Sequence, residues 1–393
     1  MHPIVIIGSG MAGYTLAREF RKLNPEQALV MISADDAVNY AKPTLSNALA
    51  GNKAPEQIPL GDAAKMSAQL SMDILSDTVV TAIDPDQHEL TLEHNGQTRQ
   101  QPYSKLILAV GANPIRLAIG GDASDDIHVV NSLIDYRAFR ERLAERDDKR
   151  VVILGAGLIG CEFANDLQHT GHHVTVIDLS ARPLGRLLPA HVAEAFQSKL
   201  EASGIQFVLS TTVEKVSKTN DNQDYVVTLA NGQTLLADVV LSAIGLQPNI
   251  DLAKQAGVTT SRGILTNSLL ETNQTDIYAI GDCAEVNGTL LPYVMPIMQQ
   301  ARALAKTLNG ETTQVHYPAM PVAVKTPAAP LTVLPAPVDV DVNWETETFE
   351  DGMLAKAVDS SETLRGFVLL GATAGKQRLS LTKLVPDLMP AQA

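Results

Sequence analysis

The sequence predicts an α/β protein with two units built on parallel sheets and a small C-terminal α+β domain. An apolar run that leads through a glycine-rich turn into a helix occurs twice, at 4–13 and at 151–160. Three further continuous apolar runs, each ending at a glycine, are typical of parallel strands covered on both faces; they lie at 104–110, 237–244 and 276–280. After Tyr317 the sequence becomes proline-rich and then alternates as in antiparallel strands, for example over 340–349.

Length and composition agree with a chain of several domains. The 393 residues, 45% of them hydrophobic and 19% charged, suffice for two or three domains that each bury a core. The chain has a net charge of −14, and only 4% of its residues are aromatic. Nucleic-acid binders typically have a basic surface and aromatic side chains on which bases stack. We therefore expect no nucleic-acid partner.

Cysteine content and hydropathy predict a cytoplasmic protein. Cys161 and Cys283 are the only two cysteines, too few for a disulfide framework. The first apolar run leads directly into the first glycine motif, without a signal-peptide pattern, and no apolar run approaches the ~18 residues that span a bilayer. We expect no membrane insertion, and a monomer or a weak homodimer.

Both glycine-rich turns have the form G-x-G-x-x-G, with glycines at 8, 10 and 13 and at 155, 157 and 160. The first glycine permits a tight turn, the second lets the backbone approach a pyrophosphate, and the third lets the helix pack closely on the strand. The anion then lies on the free N–H groups of the helix N-terminus. Two copies, each with a strand before and a helix after, indicate two Rossmann-like dinucleotide-binding domains.

The helices and second strands of these units follow each motif. We predict a helix over 14–23 in the first unit and a helix from the second glycine motif to about Thr170 in the second. The second strands are predicted over 28–32 and 174–177. The second of these strands is followed by Asp178, 23 residues after Gly155, where a carboxylate binds the 2′-OH of NADH and repels the 2′-phosphate of NADPH. Arg182 lies near and could receive a phosphate, so NADH is favoured over NADPH without being fixed.

In the first unit Ser33 stands at the ribose-binding place, with Asp35 and Asp36 just beyond. Asp282 directly follows a predicted strand and a glycine, which puts its carboxylate at the carboxyl edge of the sheet, where ligands bind. A last helix is predicted over about 296–308, with a proline in its first turn and Asn309-Gly310 after its end.

Several segments together resemble a known family. The segments LILAVGANP (106–114), GAGLIGCE (155–162), SAIGLQPN (242–249) and IYAIGDCAEV (277–286) resemble the FAD-dependent pyridine nucleotide–disulfide oxidoreductase superfamily. YAKPTLS (40–46), YVMPIM (293–298) and VKTP (324–327) resemble the bacterial rubredoxin–NAD⁺ reductase branch, and the flavorubredoxin reductases share most of them.

The resemblance implies a glutathione-reductase-like fold with an interrupted first domain. The FAD-binding domain would comprise 1–112 and 243–318, the NAD-binding domain 113–242, and the small C-terminal domain 319–393. The implied activity is electron transfer from NADH through FAD to rubredoxin, supplying an alkane hydroxylase. The alternatives are a flavorubredoxin or ferredoxin reductase, an NADH oxidase, and a redox-sensing protein that binds FAD and NADH without turnover.

The resemblance also implies a catalytic pair. Lys42 would lie beside the flavin N5 and be ion-paired to Glu162, tuning the flavin by its charge. Asp282 would accept hydrogen bonds from the ribityl chain, and the helix near Pro296 would direct its positive end at the flavin N1–C2=O edge.

The candidate binding residues form two sets. For FAD they are Gly8, Ser9, Gly10, Met11, Ala12, Gly13, Ser33, Ala34, Asp35, Lys42, Pro43, Val80, Ala109, Gly111, Gly281, Asp282, Val294 and Lys325. For NAD they are Gly155, Gly157, Leu158, Ile159, Gly160, Glu162, Asp178 and Gly245.

Other chemistries lack their motifs. The histidines at 169, 172 and 173 have no supporting acidic or cysteine ligand in their segment, so we expect no metal site there. No G-x-S-x-G, H-E-x-x-H or C-x-x-C motif occurs. The two cysteines are therefore expected to be structural, and the flavin to reduce its acceptor directly.

Overall fold

The computed structural model describes residues 2–145, 149–219 and 224–389. Its first large sheet has five parallel strands, because apolar runs covered on both faces pair best in this way. In spatial order they are Ile277–Ala279, Lys105–Leu108, Ile4–Ile7, Leu29–Ile32 and Asp73–Leu75.

The second large sheet repeats this arrangement. Its five parallel strands are, in order, Gln206–Leu209, His173–Asp178, Arg150–Leu154, Val239–Ser242 and His128–Val129. The second sheet is inserted in the chain between two strands of the first, because the chain leaves the first sheet after Leu108 and returns to it at Ile277. An antiparallel ribbon of Ala112–Pro114 and Leu246–Pro248 joins the two crossing segments.

Three small sheets accompany the large ones. Each large sheet has an antiparallel meander, made of Val79–Asp84, Glu89–His94 and Gln97–Pro102 in the first and of Val213–Lys218, Tyr225–Leu229 and Thr234–Ala237 in the second. The third small sheet contains Ile264–Thr266, Ala284–Val286 and Thr289–Leu290.

The C-terminal part is an antiparallel sheet with two short helices. In spatial order its strands are Val322–Val324, Leu331–Leu334, Leu364–Leu370, Gly352–Val358 and Asn343–Phe349. The helices are Ala372–Gly375 and Arg378–Thr382. The predicted fold class, two parallel-sheet units with a small α+β domain, is confirmed.

Seven α-helices precede the C-terminal sheet within the described residues. They are Met11–Leu23, Ala63–Leu70, Leu133–Leu143, Leu158–His169, Ala190–Ala202, Asp251–Gln255 and Val294–Leu308. 3₁₀ segments lie at Lys42–Asn47, which has two turns, and at Pro55–Gln57, Ser124–Asp126 and Gly281–Cys283, which have one each. No helix in the described ranges is long and apolar enough to cross a membrane.

Two helices begin earlier than the sequence predicts. The helix expected over 14–23 starts at Met11, and the one expected from about Pro296 starts at Val294. In the first case the last residues of the glycine turn already have helical geometry, so the helix N-terminus lies at Gly10. The three apolar runs that end at a glycine each contain a shorter strand, such as Lys105–Leu108 within 104–110. The strand predicted over 174–177 is longer and runs from His173 to Asp178.

Candidate functional site

Many of the predicted site residues lie at the carboxyl ends of the parallel strands, at one edge of each large sheet. In the first sheet, four strands that are consecutive neighbours are followed by Gly8, Ser33, Ala109 and Gly281. In the second sheet, Gly155 and Gly245 follow two neighbouring strands and Asp178 ends a third. Each sheet thus presents its own candidate site.

The first glycine motif leaves room for a ligand only over its middle glycine. A Cβ on Gly8 would lie 2.3 Å from the Ala109 carbonyl oxygen, and one on Gly13 would lie 2.0 Å from the Gly8 carbonyl oxygen. A Cβ on Gly10 would have no atom within 4 Å. Gly10 is also the N-cap of the helix Met11–Leu23, without a side-chain cap. An open helix N-terminus over a glycine fits a pyrophosphate.

The second motif has the same geometry. A Cβ on Gly155 would lie 2.5 Å from the Ala243 carbonyl oxygen, and one on Gly160 would lie 1.9 Å from the Gly155 carbonyl oxygen. The space over Gly157 is open, and Gly157 caps the helix Leu158–His169. This repetition fits a second dinucleotide.

Beside the first motif, two hydroxyls converge on one carboxylate. Ser9 Oγ and Ser33 Oγ are 2.6 Å apart, and both donate to Asp35 Oδ1, at 3.2 and 2.5 Å. Ser33 is buried, whereas Asp35 is exposed. An acidic residue usually follows directly after the second strand of such a unit. Here Ser33 is in that position, and the carboxylate beside it belongs to Asp35, two residues further along the chain.

Asp282 and Lys42 influence each other across the first site. Burial raises the pKa of Asp282, and the nearby Lys42 ammonium opposes that rise. In turn, burial lowers the pKa of Lys42, opposed chiefly by Asp282 and then by Asp135 and Asp35. Among the described residues, none donates a hydrogen bond to the Asp282 carboxylate. A half-buried carboxylate with free oxygens fits the hydroxyls of a ligand, as predicted for the ribityl chain.

The predicted Lys42–Glu162 ion pair is not formed, so that part of the prediction is wrong. Lys42 Nζ donates instead to Asn131 Oδ1 at 3.1 Å, and the Asn131 amide donates to the Ala112 carbonyl oxygen at 2.9 Å. The physical reason is that other groups already surround the Glu162 carboxylate.

Glu162 is paired with Lys325 of the C-terminal sheet. Lys325 Nζ forms a short ion pair with Glu162 Oε2, and the Lys325 N–H donates to Oε1 at 3.0 Å. Ser46 Oγ donates to Oε2 at 2.7 Å. The carboxylate of a buried residue thus has three donors. Lys325 is expected to approach the flavin, and in the structure it is the ion-pair partner of Glu162.

Asp178 faces its own glycine motif. Its Oδ2 accepts the Ala156 N–H at 2.6 Å, and its Oδ1 accepts the Ser180 N–H at 2.7 Å. These bonds hold a half-buried carboxylate at the strand end, where a ribose hydroxyl would meet it. Arg182 Nε donates to Glu194 Oε1 at 2.7 Å, so this guanidinium is already engaged with a carboxylate through its Nε–H.

The helix Val294–Leu308 has an uncapped N-terminus and no acidic residue in its first turn. Its Gln300 is buried and accepts the Gly281 N–H at 2.7 Å, while Gln300 Nε2 donates to Tyr317 Oη at 2.7 Å. Gln300 thereby fixes this helix to the turn that carries Asp282.

The remaining predicted residues border these two sites. Met11 and Ala12 open the first helix, and Ala12 Cβ lies 2.7 Å from where a Cβ of Gly281 would be. Ala34 is exposed, Pro43 follows Lys42 in the 3₁₀ turn, and Val80 lies half-buried on the strand Val79–Asp84. The other positions are Gly111 at the start of the ribbon, Val294 at the helix start, and Leu158 and Ile159 at the start of the second-motif helix.

Both cysteines are free and fully buried. Cys161 Sγ–H contacts the Ala156 carbonyl oxygen at 3.5 Å, and Cys283 Sγ–H contacts the Ile280 carbonyl oxygen at 3.2 Å. Burial raises both thiol pKa values, that of Cys283 to about 12. The thiolate is the reactive form of cysteine, so neither side chain is prepared for disulfide exchange.

Sequence reasoning missed the residues that hold these groups in place, namely Ser46, Asn131, Asn165, Asp166 and Gln300. One signal was present. Glu162, Asn165 and Asp166 are polar residues at helical spacing within an apolar helix, and such a polar stripe in a buried helix indicates specific partners.

The comparison with protein families covers nearly all of the chain. Residues 2–307 match the family described as pyridine nucleotide-disulphide oxidoreductase. The chain belongs to this family. Residues 314–385 match a second description, rubredoxin binding C-terminal domain.

Members of the pyridine nucleotide-disulphide oxidoreductase family with similar sequences include two kinds of reductase. The rubredoxin-NAD(+) reductase of Acinetobacter baylyi is 86% identical over 392 residues, covering 100% of both chains. The nitric oxide reductase FlRd-NAD(+) reductase of Escherichia coli is 37% identical over 93% of this chain and 94% of its own. Among solved structures, the covalent putidaredoxin reductase–putidaredoxin complex matches with a TM-score of 0.88 and 25% identity, over 98% of this chain and 94% of that chain.

Proposed function

We propose that the protein is an NADH-dependent flavoprotein reductase that passes electrons from NADH through FAD to rubredoxin. In each cycle one NADH is oxidised to NAD⁺ and a proton, and two ferric rubredoxins each take up one electron. One observation carries the proposal: a single chain holds two open dinucleotide cradles, over Gly10 and over Gly157, and no cysteine placed for disulfide chemistry.

The first cradle is assigned to FAD. When bound, FAD supplies the chemistry of accepting a hydride and releasing electrons one at a time. Gly10 and the N-terminus of Met11–Leu23 would hold its pyrophosphate, and the Ser9–Ser33–Asp35 cluster its adenosine ribose. Asp282 would accept hydrogen bonds from the ribityl hydroxyls, and Lys42 would provide a positive charge beside the reacting ring.

The second cradle is assigned to NADH. Gly157 and the N-terminus of Leu158–His169 would hold its pyrophosphate, and Asp178 would accept from the ribose hydroxyls. The Arg182 guanidinium is already paired with Glu194 through its Nε–H, which favours NADH over the 2′-phosphate of NADPH. Glu162 lies one turn into this helix and holds Lys325, which links the nucleotide cradle to the C-terminal sheet.

The proposal includes the division of the chain into domains. We propose that 1–112 and 243–318 bind FAD, that 113–242 bind NADH, and that 319–393 form the domain that helps to receive rubredoxin. The interruption of the first sheet by the second supports this division. A cytoplasmic location is also proposed, because a compartment that keeps thiols reduced agrees with two free cysteines. A role in supplying an alkane hydroxylase stays a prediction from the resemblance.

The test compares electron acceptors side by side. The purified FAD-loaded protein would be mixed with NADH and with a rubredoxin, a flavorubredoxin, a [2Fe–2S] ferredoxin or dioxygen alone, each at equal concentration. We expect kcat/KM to be at least about tenfold higher for rubredoxin than for the other acceptors, a difference of ~1.4 kcal/mol. Fast flavin reduction by NADH with slow reoxidation by every acceptor would instead indicate a redox sensor.

A further inference from the structure

A polar face on the helix Leu158–His169 contacts both segments that carry the site lysines. Glu162, Asn165 and Asp166 are three and four residues apart, so they lie on one face of the helix. All three are buried. Glu162 and Asn165 bind the C-terminal segment, at Lys325 and at the Ala328 N–H.

Asp166 binds the other segment. Its Oδ2 accepts the Leu49 N–H at 3.1 Å, and its Oδ1 accepts the Ala50 N–H at 2.8 Å. These two amides lie two and three residues after the 3₁₀ segment that begins with Lys42 and ends at Asn47. With 1% of its surface exposed, Asp166 is the most completely buried of the three polar side chains on this face.

We propose that Asp166 is a positioning residue whose carboxylate fixes the segment 42–50 and thereby keeps Lys42 in its hydrogen bond to Asn131. The inference rests on the proposed function, in which Lys42 acts beside the flavin. The segment is otherwise attached to the second-motif helix through Ser46, which donates to Glu162. Each of the two N–H donors binds its own oxygen of Asp166, and a carboxylate provides two such oxygens where a side-chain amide provides one.

The groups around Asp166 affect its ionisation and its hold on the segment 42–50. Burial raises the pKa of Asp166 to about 6. The Ala50 and Leu49 N–H groups, and then Arg140 and His169, favour the ionised form and oppose that rise. Arg140 is also attached to the same stretch of chain, because its guanidinium donates to the Lys53 carbonyl oxygen at 3.2 Å.

The test uses the Asp166→Asn variant, with Asn165→Ala as the matched control. The two residues are adjacent on one helix and hold different segments, so each variant releases one segment and leaves the other. Hydrogen–deuterium exchange of the FAD-loaded proteins would follow peptides that cover 43–53 and 322–331. We expect Asp166→Asn to speed exchange at Leu49 and Ala50 only, and Asn165→Ala to speed exchange around Ala328 only. Unchanged exchange at Leu49 and Ala50 in Asp166→Asn would overturn the proposal.

A double-mutant cycle with Lys42→Met separates positioning from a general loss of structure. The readout is the rate of flavin bleaching by NADH in a stopped-flow instrument, with no electron acceptor present. We expect Asp166→Asn and Lys42→Met each to slow bleaching by about tenfold or more, since small misplacements of a reacting group cost this much. The double variant should be no slower than Lys42→Met alone.

Two outcomes would contradict the inference, namely multiplicative effects in the double variant or bleaching at the normal rate in Lys42→Met. If Asp166→Asn does not fold, Asp166→Glu applies the same test with the charge retained and the carboxylate displaced. Since none of these measurements uses rubredoxin, failure of the unaltered protein to reduce rubredoxin would refute the proposed function and leave this test intact.

Discussion

Lys325 and Glu162 form an ion pair that joins the C-terminal sheet to the helix of the second glycine motif. The carboxylate is buried and also accepts from the Lys325 N–H and from Ser46. The pair therefore connects three segments that are far apart in the chain, and it replaces the partnership with Lys42 that the resemblance implies.

Replacing Glu162 by Gln should destabilise the protein measurably. The amide keeps the shape of the side chain but removes the charge that holds Lys325, and hydrogen bonds to charged groups contribute about 1.5–3 kcal/mol. We expect the free energy of unfolding in urea to fall by about this amount. The exposed pair Lys306–Glu311 provides the control, because Glu311→Gln should cost less than ~1 kcal/mol. Equal losses in the two variants would show that Glu162 contributes no more than a surface charge.

Nucleotide preference should depend on Asp178 and Glu194 together. Asp178→Asn removes the negative charge at the ribose, and Glu194→Gln releases Arg182 to meet a 2′-phosphate. We expect the ratio of kcat/KM for NADH to that for NADPH to fall about tenfold in the first variant, and further in the double variant. Steady-state kinetics with both nucleotides measure the ratio. If it stays constant in both, the ribose is bound by other residues.

The stability contribution of Asp166 should depend on pH. Its pKa of about 6 in the folded protein lies above the usual 3.8, so between these values the folded state holds the proton more tightly than the unfolded chain does. This stabilisation is complete below pH ~4 and is lost as the pH rises through about 6. The two-unit shift corresponds to roughly 3 kcal/mol.

Asp166→Asn cannot titrate at this position. The unfolding free energy of the variant minus that of the unaltered protein should therefore increase by up to roughly 3 kcal/mol between pH 4 and pH 7. Urea titrations at a series of pH values provide the difference, in which the contributions of all other groups largely cancel. A difference that does not vary with pH would place the pKa of Asp166 at its ordinary value.

Neither cysteine should be needed for electron transfer. Cys161→Ser and Cys283→Ser place a hydroxyl where the buried thiol contacts a carbonyl oxygen, so the hydrogen bond can be kept. We expect both variants, once loaded with FAD, to retain most of their NADH-dependent rubredoxin reduction. Reductive titration of the unaltered protein should take up two electrons per flavin. Uptake of four would mean that the cysteines form a redox-active disulfide after all.

Rubredoxin reduction should slow as the salt concentration rises. The protein has a net charge of −14, so an acidic acceptor protein needs a locally basic patch, for which the sequence offers Lys42, Lys53, Arg302 and Lys325. In the structure, Lys53 and Arg302 are exposed, whereas Lys42 and Lys325 are half-buried and bound to other groups. Exposed charges are screened over ~8 Å at physiological ionic strength.

The matched variants are Lys53→Gln and Arg302→Gln, with the exposed Lys254 on the helix Asp251–Gln255 changed to Gln as the control. We expect the first two to lower the second-order rate constant at low salt and to flatten its salt dependence, and the control to change neither. A rate that is flat across salt concentrations in the unaltered protein would indicate an apolar docking face.

The sequence predicts the backbone of both sites because the glycine motifs are local. Gly13 and Gly160 press against the carbonyl oxygens of Gly8 and Gly155 within their own motifs, so the local pattern of residues determines this part of the structure. Gly8 and Gly155 instead meet Ala109 and Ala243 of neighbouring strands. The position of Asp282 is predictable for the same reason, since it directly follows a buried strand.

The side-chain partners could not be predicted in this way. Glu162 meets Lys325, and Lys42 meets Asn131, across segments whose approach depends on how three sheets pack. The ribose carboxylate is another example. The Asp35 carboxylate lies beside Ser33, the residue at the expected ribose-binding position, because Ser33 donates a hydrogen bond to it across a bend in the chain. Residue spacing along the sequence does not predict that bend.

The antiparallel ribbon of Ala112–Pro114 and Leu246–Pro248 has a consequence for how the chain folds. The edge strand Ile277–Ala279 must find Lys105–Leu108 across the whole length of the second sheet and its helices. Loop-closure entropy opposes such a distant pairing. Once the ribbon has formed, however, the two ends of the intervening chain are already side by side, and the remaining search is short. The ribbon thereby lowers the entropic cost of adding the edge strand that completes the first sheet.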